Sequence, residues 1–178
     1  MIKKQEFGPD HRNVAITLAN LGNAYGELGD DARKRDLLEQ CLAIQEREFG
    51  PDHCKVASTL GNLGCAYGDL GDAARKRDLL EQALAIGERE FGPDHRSLVA
   101  SLGNLADAYG NLGDTARKRD MLEKSLEIQE REFGPDHSAV GLALLLVSEV
   151  YGDLGDVSLQ RDLRERALVI AAPTSAIA

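Results

Sequence analysis

One six-residue segment, Glu-Phe-Gly-Pro-Asp-His, occurs four times in this chain, beginning at residues 6, 48, 90 and 132. Successive copies are therefore 42 residues apart. A fixed period of this size is typical of stacked repeat arrays, in which each unit contacts only its neighbours. The period predicts an array rather than one domain built around a single central core.

The repeats also absorb the residue types that usually build a unique active site. All four Phe and all four His lie in the hexapeptide, and all four Tyr share one further repeat position. No G-x-S-x-G, H-E-x-x-H or P-loop motif occurs. If the units are helical, equivalent His lie about 10 Å apart, whereas zinc ligands lie about 2 Å from the metal. The sequence predicts no enzyme activity, no metal site and no cofactor.

The net charge and the cysteine content limit the classes of partner and the cellular compartment that the sequence predicts. The net charge is −9 and the isoelectric point is near 4.9, whereas nucleic acid and anionic membranes attract basic surfaces. No apolar run approaches the roughly 18 residues that cross a bilayer. The three Cys form no C-x-x-C pair, which favours free thiols in a reducing compartment. These features predict a cytoplasmic protein that binds neither nucleic acid nor membrane.

Within one period, the apolar residues predict two helices joined by tight turns. The first helix begins at Asp10 or His11 and ends at Gly29, because glycine readily adopts the left-handed backbone that closes helices. Its apolar stripe consists of Val14, Leu18, Leu21, Tyr25 and Leu28. The second helix begins after Asp30 and ends before Gly50. Neither helix buries its stripe alone, so successive pairs must stack, and the tyrosines are expected to be largely buried between repeats.

A motif in the first helix carries a family resemblance. The segment Asn20-Leu21-Gly22-x-x-Tyr25-x-x-x-Gly29-Asp30, followed by Cys41-Leu42, resembles the tetratricopeptide repeat pattern. It recurs from Asn62 and from Asn104, and in weaker form from Leu146. The longer period and the Gly-Pro-Asp-His linker are similar to the kinesin light chain type of repeat. A HEAT or armadillo array has a compatible period, but it would not explain this motif.

The resemblance implies an all-α fold, a right-handed α-solenoid (superhelix) of stacked helix-turn-helix repeats. The whole chain is then predicted to be one repeat array. Its predicted parts are the end of a preceding second helix (1–10), repeat 1 (11–52), repeat 2 (53–94), repeat 3 (95–136), repeat 4 (137–170) and a divergent tail (171–178).

One departure from the family recurs early in the second helix, where the family usually has Ala. This chain has Lys34, Lys76 and Lys118 there. We expect each methylene stem to lie over the first helix while the ammonium stays in water. Each lysine belongs to a basic triplet such as Arg33-Lys34-Arg35, with a glutamate four residues beyond the second Arg, a helical pair that contributes a few tenths of a kcal/mol. The triplets predict a solvated, partly paired outer face.

The resemblance also implies where a ligand would bind, because the first helices line the concave groove of such arrays. Placing Leu21 and Tyr25 in the core between helices directs another set of residues toward the groove. The predicted groove residues are Asn20, Asn23, Glu27, Asn62, Asp69, Asn104, Asp107, Asn111, Leu142, Leu146 and Glu149. In this family an Asn at the position of Asn20 often clamps peptide backbone, since an amide both donates and accepts hydrogen bonds. The alternative is that these Asn only bridge neighbouring helices.

These features predict a protein-protein interaction scaffold that binds a peptide or partner protein in the concave groove. Because the groove positions include carboxylates and no Lys or Arg, we expect a neutral to basic ligand. In the fourth repeat Leu142, Leu145 and Leu146 make the first helix apolar nearly all round, which predicts self-association or ligand burial there. One alternative is a purely structural or self-associating array, a segment of a larger protein or an engineered one, that forms homo-oligomers through its ends. A remote alternative is RNA binding through the basic triplets.

Overall fold

The structure is a computed structural model that describes residues 12–172. The α-helices in that range are α1 (Arg12–Glu27), α2 (Asp31–Phe49), α3 (Cys54–Asp69), α4 (Ala73–Phe91), α5 (Val99–Asn111), α6 (Thr115–Phe133), α7 (Ser138–Asp153) and α8 (Val157–Ala171). A 3₁₀ turn, Arg96–Leu98, precedes α5. These residues contain no strand, and their helices pack as consecutive pairs. The predicted all-α class of helix-turn-helix repeats is confirmed.

The helices form two compact units, divided between Pro93 and Asp94. The first unit contains α1–α4 and the second contains α5–α8. Within each unit a core lies where one helix pair meets the next. These cores include Leu38, Leu63 and Leu79 in the first unit and Leu126, Leu144 and Ala167 in the second. The first of these cores draws buried side chains from three successive helices and the second from four, because no helix buries its stripe alone.

The repeat bounds drawn from the sequence remain a prediction. Residues 1–10, predicted to end a preceding helix, lie outside the described residues. Residues 173–178 of the predicted tail also lie outside them.

The predicted turn chemistry is confirmed at both ends of the second helix. Gly29 has φ +76° and Gly50 has φ +84°, in the left-handed region that glycine adopts at little cost. The side chain of Asp30 accepts a hydrogen bond of 3.1 Å from the backbone N–H of Arg33 and so caps α2. The backbone N–H of Asp30 donates to the carbonyl of Tyr25 at 2.9 Å. One Gly-Asp pair thus closes the first helix and starts the second.

Histidines cap the first helices of repeats 2 and 4. The ring Nδ1 of His53 accepts a hydrogen bond from the backbone N–H of Lys55 at 3.2 Å, and that of His137 accepts from Ala139 at 3.1 Å. The ring of His53 also stacks on Phe49, with centroids 4.8 Å apart. These contacts satisfy backbone donors that the first turn of a helix leaves unpaired. The linker histidines are therefore structural groups.

The cap that the sequence suggested for repeat 1, Asp10 or His11, lies outside the described residues. Its equivalents show that the histidine is the cap and the aspartate is not. In the linker before repeat 2 the aspartate, Asp52, instead forms an ion pair with Arg89, with 3.1 Å between Oδ2 and Nη1. The aspartate thus ties the linker to the end of the second helix.

Equivalent apolar positions differ in burial along the chain. Leu21, which the helix phasing placed in the core, is 44% exposed, whereas Leu63, one period later, is 2% exposed. Leu63 packs with Leu38 of the preceding helix α2, but no helix precedes α1 within residues 12–172. The core placement was therefore wrong for Leu21, because burial at this position requires a preceding helix pair.

We expect the substitution His137→Ala to lower the free energy of unfolding by about 0.5–2 kcal/mol, the usual cost of losing a helix N-cap. His137→Asn should lose less, because asparagine also accepts a hydrogen bond at this position. Urea unfolding followed by circular dichroism measures both changes. Equal losses would instead assign the effect to the stacking of His137 on Phe133, whose ring centroids lie 4.8 Å apart.

Candidate functional site

The predicted groove residues of the first unit define a surface that we call the first face. It consists of Asn20, Asn23, Glu27, Asn62 and Asp69. Asn20, Asn23 and Glu27 are exposed on α1, and their spacing of three and four residues puts them on one side of the helix. On α3, Asp69 is exposed and Asn62 is half-buried. The structure places all of these side chains at the surface, and ligand binding by them stays a prediction.

The predicted groove residues of the second unit define the second face. It consists of Asn104, Asp107, Asn111, Leu142, Leu146 and Glu149, all of them exposed. On α7, Leu142 is 66% and Leu146 is 50% exposed, whereas Val140 and Leu144 on the opposite side are fully buried. Helix α7 is therefore apolar nearly all round, as predicted. Contrary to the usual rule for such helices, its second-face side is half or more exposed at these two leucines.

A cavity of about 250 Å³ adjoins the second face between α7 and α8. It is lined by Ser138, Gly141, Leu142, Leu145, Ala167, Ile170 and Ala171. The lining is almost wholly apolar, so the cavity suits an apolar side chain rather than a polar group, which would lose its hydration there. Sequence reasoning found the leucines but not the cavity, because the cavity depends on small residues in two different helices.

A lysine that sequence reasoning left out of the groove reaches the first face. The stem of Lys34 lies over Gly26 of α1, where an added Cβ would lie 2.7 Å from Lys34 Cδ. The ammonium Nζ lies 3.2 Å from Asp69 Oδ2 on α3. The expected position of the stem is confirmed. The expectation that the ammonium stays in water was wrong, because the Lys34 side chain is only 16% exposed and Asp69 replaces part of its hydration.

This ion pair changes the charge of the first face. The predicted groove residues all lie on first helices, and they include carboxylates but no Lys or Arg. Lys34 comes from a second helix and neutralises one of those carboxylates. A glycine occurs eight residues before each lysine, and this spacing in the sequence indicates that the lysine side chain lies across the first helix. These pairs are Gly26 and Lys34, Gly68 and Lys76, and Gly110 and Lys118, and each lysine stem lies over its glycine.

The tyrosines connect one helix pair to the next. The hydroxyl of Tyr67 on α3 donates to Glu39 on α2, and that of Tyr151 on α7 donates to Glu123 on α6. Only Tyr109 is buried, at 6% exposure, whereas the other three are half-buried. The expected burial is complete for Tyr109 and partial for the other three. A phenol packs its ring and keeps its polar edge near water, and these hydroxyls reach carboxylates at the surface.

The basic triplets are engaged within the protein. In the first triplet, the guanidinium of Arg33 lies 5.1 Å from the centroid of the Tyr25 ring. Lys34 pairs with Asp69, as described above, and Arg35 lies 2.6 Å from the carboxylate of the adjacent Asp36. A nucleic acid bound at this triplet would have to displace these partners.

The nearest partners of the outer arginines differ from those expected. We expected glutamates four residues away, and Arg119 does reach Glu123 at 3.8 Å. The shortest contacts instead join each arginine to the next residue in the chain. They are Arg35 to Asp36, Arg77 to Asp78 and Arg119 to Asp120, at 2.5–2.6 Å. Exposed pairs of this kind contribute at most about 1 kcal/mol each.

The cysteines are free thiols. Cys41 is fully buried between α2 and α3, with Sγ 3.8 Å from Thr59 Oγ1, and the Thr59 hydroxyl donates to Gln45 Oε1 at 2.7 Å. Burial raises the pKa of the Cys41 thiol, so Cys41 acts as a packing group. Within residues 12–172 no cluster of His, Cys, Asp and Glu is arranged to hold a metal ion. No helix in that range is both long and apolar enough to cross a membrane.

Tandem helix pairs, each with a Gly-Asp turn between its two helices and with a shared core inside each unit, define a helical-repeat scaffold. Proteins of this class offer an extended surface built from successive units. A family model described as tetratricopeptide repeat matches residues 14–53, 56–97 and 98–139. The chain therefore belongs to the tetratricopeptide repeat family, as its motif predicted.

Solved structures agree with this assignment. The chain is similar to a putative kinesin light chain from Podosopora anserina with nearly identical TPR-like repeats, at 26% identity and a TM-score of 0.82 over 94% of this chain and 80% of that one. BtubC from P. vanneervenii shares the fold, at 22% identity and a TM-score of 0.83 over 92% of this chain and 65% of that one. These neighbours confirm the predicted kinesin light chain type of repeat. Among curated proteins, none matches the sequence.

The hydrogen bond to Glu39 and, to a lesser degree, burial raise the pKa of the Tyr67 hydroxyl above its ordinary value of 10.0. The folded state therefore favours the protonated hydroxyl. Its contribution to stability is complete below about pH 10 and is lost as the pH rises through the raised pKa of the folded state. We expect the free energy of unfolding of the wild type to fall more steeply above about pH 10 than that of Tyr67→Phe.

Urea unfolding at a series of alkaline pH values measures this difference. Tyr25→Phe is the matched control, because the Tyr25 hydroxyl makes no hydrogen bond to another described residue. That variant should keep the alkaline fall of the wild type. A Tyr67→Phe profile that overlays the wild type would show that the contact with Glu39 does not stabilise the fold.

Proposed function

We propose that the chain is a non-catalytic interaction scaffold whose first and second faces each bind a peptide segment of a partner protein. Tetratricopeptide repeat proteins generally serve as protein-protein interaction scaffolds. One observation carries the finer proposal. Within residues 12–172, the side chains of Asn20, Asn62 and Asn104 make no hydrogen bond to another residue. The bridging alternative thus lacks support, and these amides are available to a peptide backbone.

Charge favours a neutral to basic ligand. Glu27 is exposed on the first face, and Asp107 and Glu149 are exposed on the second. Lys34 already pairs with Asp69, so one carboxylate of the first face is offset by a cation. The net charge of −9 and the engaged triplets argue against nucleic acid as the ligand.

The second face also favours an apolar contact. Leu142 and Leu146 are exposed beside the cavity between α7 and α8. A leucine-sized ligand side chain buried there would contribute about 1.5–3 kcal/mol. The free thiols of Cys41, Cys54 and Cys65 fit a reducing compartment, so the same proposal places the scaffold in the cytoplasm.

Selection of binders from a random peptide library tests the asparagine clamp. We expect Asn20→Ala and Asn104→Ala to weaken the selected peptides about two- to tenfold each, because each loses one or two neutral hydrogen bonds. Gln40→Ala is the control, since it removes an exposed amide from a second helix outside both faces. Isothermal titration calorimetry measures the dissociation constants. Unchanged affinity in both Asn variants would contradict the clamp.

The charge preference has its own test. Selected peptides should be enriched in Lys and Arg, and their binding should weaken between about 0.05 and 0.5 M salt, because exposed charges are then screened. Lys34→Met keeps a long apolar stem over Gly26 but removes the cation beside Asp69. This variant should bind basic peptides more tightly at the first face. A selected set rich in Asp and Glu would contradict the proposal.

A further inference from the structure

We propose that the first unit has a further interaction surface, a groove between the second helices α2 and α4 that binds an arginine side chain of a partner protein. Two cavities lie along this groove, and both are lined by Glu46 of α2. We call them the Gln82 cavity, of about 220 Å³, and the Tyr67 cavity, of about 250 Å³. None of their lining residues belongs to the first or the second face. This surface is therefore separate from the proposed peptide-binding faces.

The Gln82 cavity combines an apolar interior with a polar rim. Leu60 of α3 and Ile86 of α4 line it and are both buried. Glu46 and Gln82, which also line it, are exposed. Its volume lies below the roughly 300–1,000 Å³ of ordinary small-molecule pockets. The cavity therefore suits a single side chain that has an apolar stem and a polar end.

The Gln82 cavity contains one negative charge that has no partner. Asp52 and Arg89 at its rim neutralise each other, with 3.1 Å between Oδ2 and Nη1. Arg89 also donates a hydrogen bond of 2.8 Å to the backbone carbonyl of Asp52. Glu46 forms no ion pair or hydrogen bond with another described residue. Its carboxylate is therefore available to a cationic ligand.

Apart from Glu46, the charged groups of the Tyr67 cavity are engaged with each other. The hydroxyl of Tyr67 donates a hydrogen bond to Glu39. The guanidinium of Arg75 lies 5.7 Å from the centroid of the Tyr67 ring. The available charge of the groove is thus the carboxylate that the two cavities share.

The second unit contains an arginine in the equivalent place. Glu130 and Arg166 stand two periods after Glu46 and Gln82. Nη2 of Arg166 on α8 lies 2.6 Å from Oε1 of Glu130 on α6. Glu130 is half-buried beside this arginine, whereas Glu46 is exposed. In the first unit the shorter, neutral glutamine leaves the position of the guanidinium to a side chain from outside.

The groups at the rim favour arginine over lysine. A guanidinium donates two parallel hydrogen bonds to a carboxylate such as that of Glu46. The amide oxygen of Gln82, which accepts no hydrogen bond from another described residue, can receive a further N–H. A lysine ammonium is more strongly hydrated and lacks the planar fork. The methylene stem of the arginine would cover the apolar interior at Ile86.

NMR titration of the full chain with the peptide acetyl-Gly-Arg-Gly-amide tests the proposal. We expect the methyl signals of Leu60 and Ile86 to shift and saturate with a dissociation constant of about 1–10 mM, as for a ligand that makes few contacts. The same peptide with citrulline in place of arginine has a similar shape but no charge, so it should bind about fivefold more weakly. Absence of saturable shifts at these methyls, or equal affinity for the two peptides, would overturn the proposal.

Substitutions locate the contact at Glu46. Glu46→Gln should weaken the arginine peptide about fivefold, because the ion pair is lost. Glu48→Gln makes the same change of charge at an exposed position of α2 that lines neither cavity, so it should leave the affinity unchanged. Unchanged affinity in Glu46→Gln would overturn the proposal. An equal loss in both variants would also overturn it, since the effect would then come from overall charge.

Gln82→Arg tests the equivalence with the second unit. The new side chain should pair with Glu46 as Arg166 pairs with Glu130, so the Ile86 shifts caused by the peptide should be lost. The position is exposed, and circular dichroism should show that the variant folds. Peptide binding at wild-type strength in this variant would show that the ligand does not occupy the position of the guanidinium.

The outcome is independent of the peptide-binding faces. Asn20→Ala and Asn104→Ala change residues outside both cavities, so they should leave the Ile86 titration unchanged. A loss of binding in either variant would place the arginine on a face instead of in the groove and would overturn this proposal alone.

Discussion

The burial of one helix pair against the other within each unit is the constraint on which the rest of the structure depends. Leu38 and Leu63 come from different pairs, and each is 2% exposed or less because the other pair covers it. The amphipathic stripe of a single helix would stay in water without that neighbour. Stability in such an array is approximately a sum over pairs and their junctions, so the same sequence position has a different environment at an end than in the interior.

The close approach of the two helices in a pair determines which side chains lie at the first face. An added Cβ at Gly22 would lie 3.3 Å from Leu38 Cγ, and one at Gly26 would meet the stem of Lys34. Glycine at these positions lets α2 lie close to α1, and Lys34 then extends across α1 to Asp69 on α3. The packing residues thus determine the charge of the first face, because they decide how far a cation from the second helix can reach.

Side chains that point between the helices and side chains that point to solvent have different roles in this fold. Side chains between the helices, such as Leu144, hold the units together, and the linker histidines and Gly-Asp pairs satisfy the helix ends. The exposed sides of the first helices carry amides such as that of Asn104, which makes no hydrogen bond to another described residue. This division explains why the repeats can be so alike in sequence while the second face acquires Leu142 and Leu146 without loss of the core.

The turns between the helices, the helical class and the family could be predicted from the sequence, because these depend on interactions within a few residues. Gly29, Asp30 and Gly50 act on their own helix ends, and the periodic apolar residues act within one helix. The tertiary structure alone decided that Leu21 is exposed, that Lys34 pairs with Asp69 and that a cavity lies beside Leu142. Lys34 and Asp69 are 35 residues apart, and no local pattern specifies which side chains from successive pairs meet. Similar repeats form the same local structure. The exposure of their side chains and the ion pairs that these side chains form depend on which helices pack beside them.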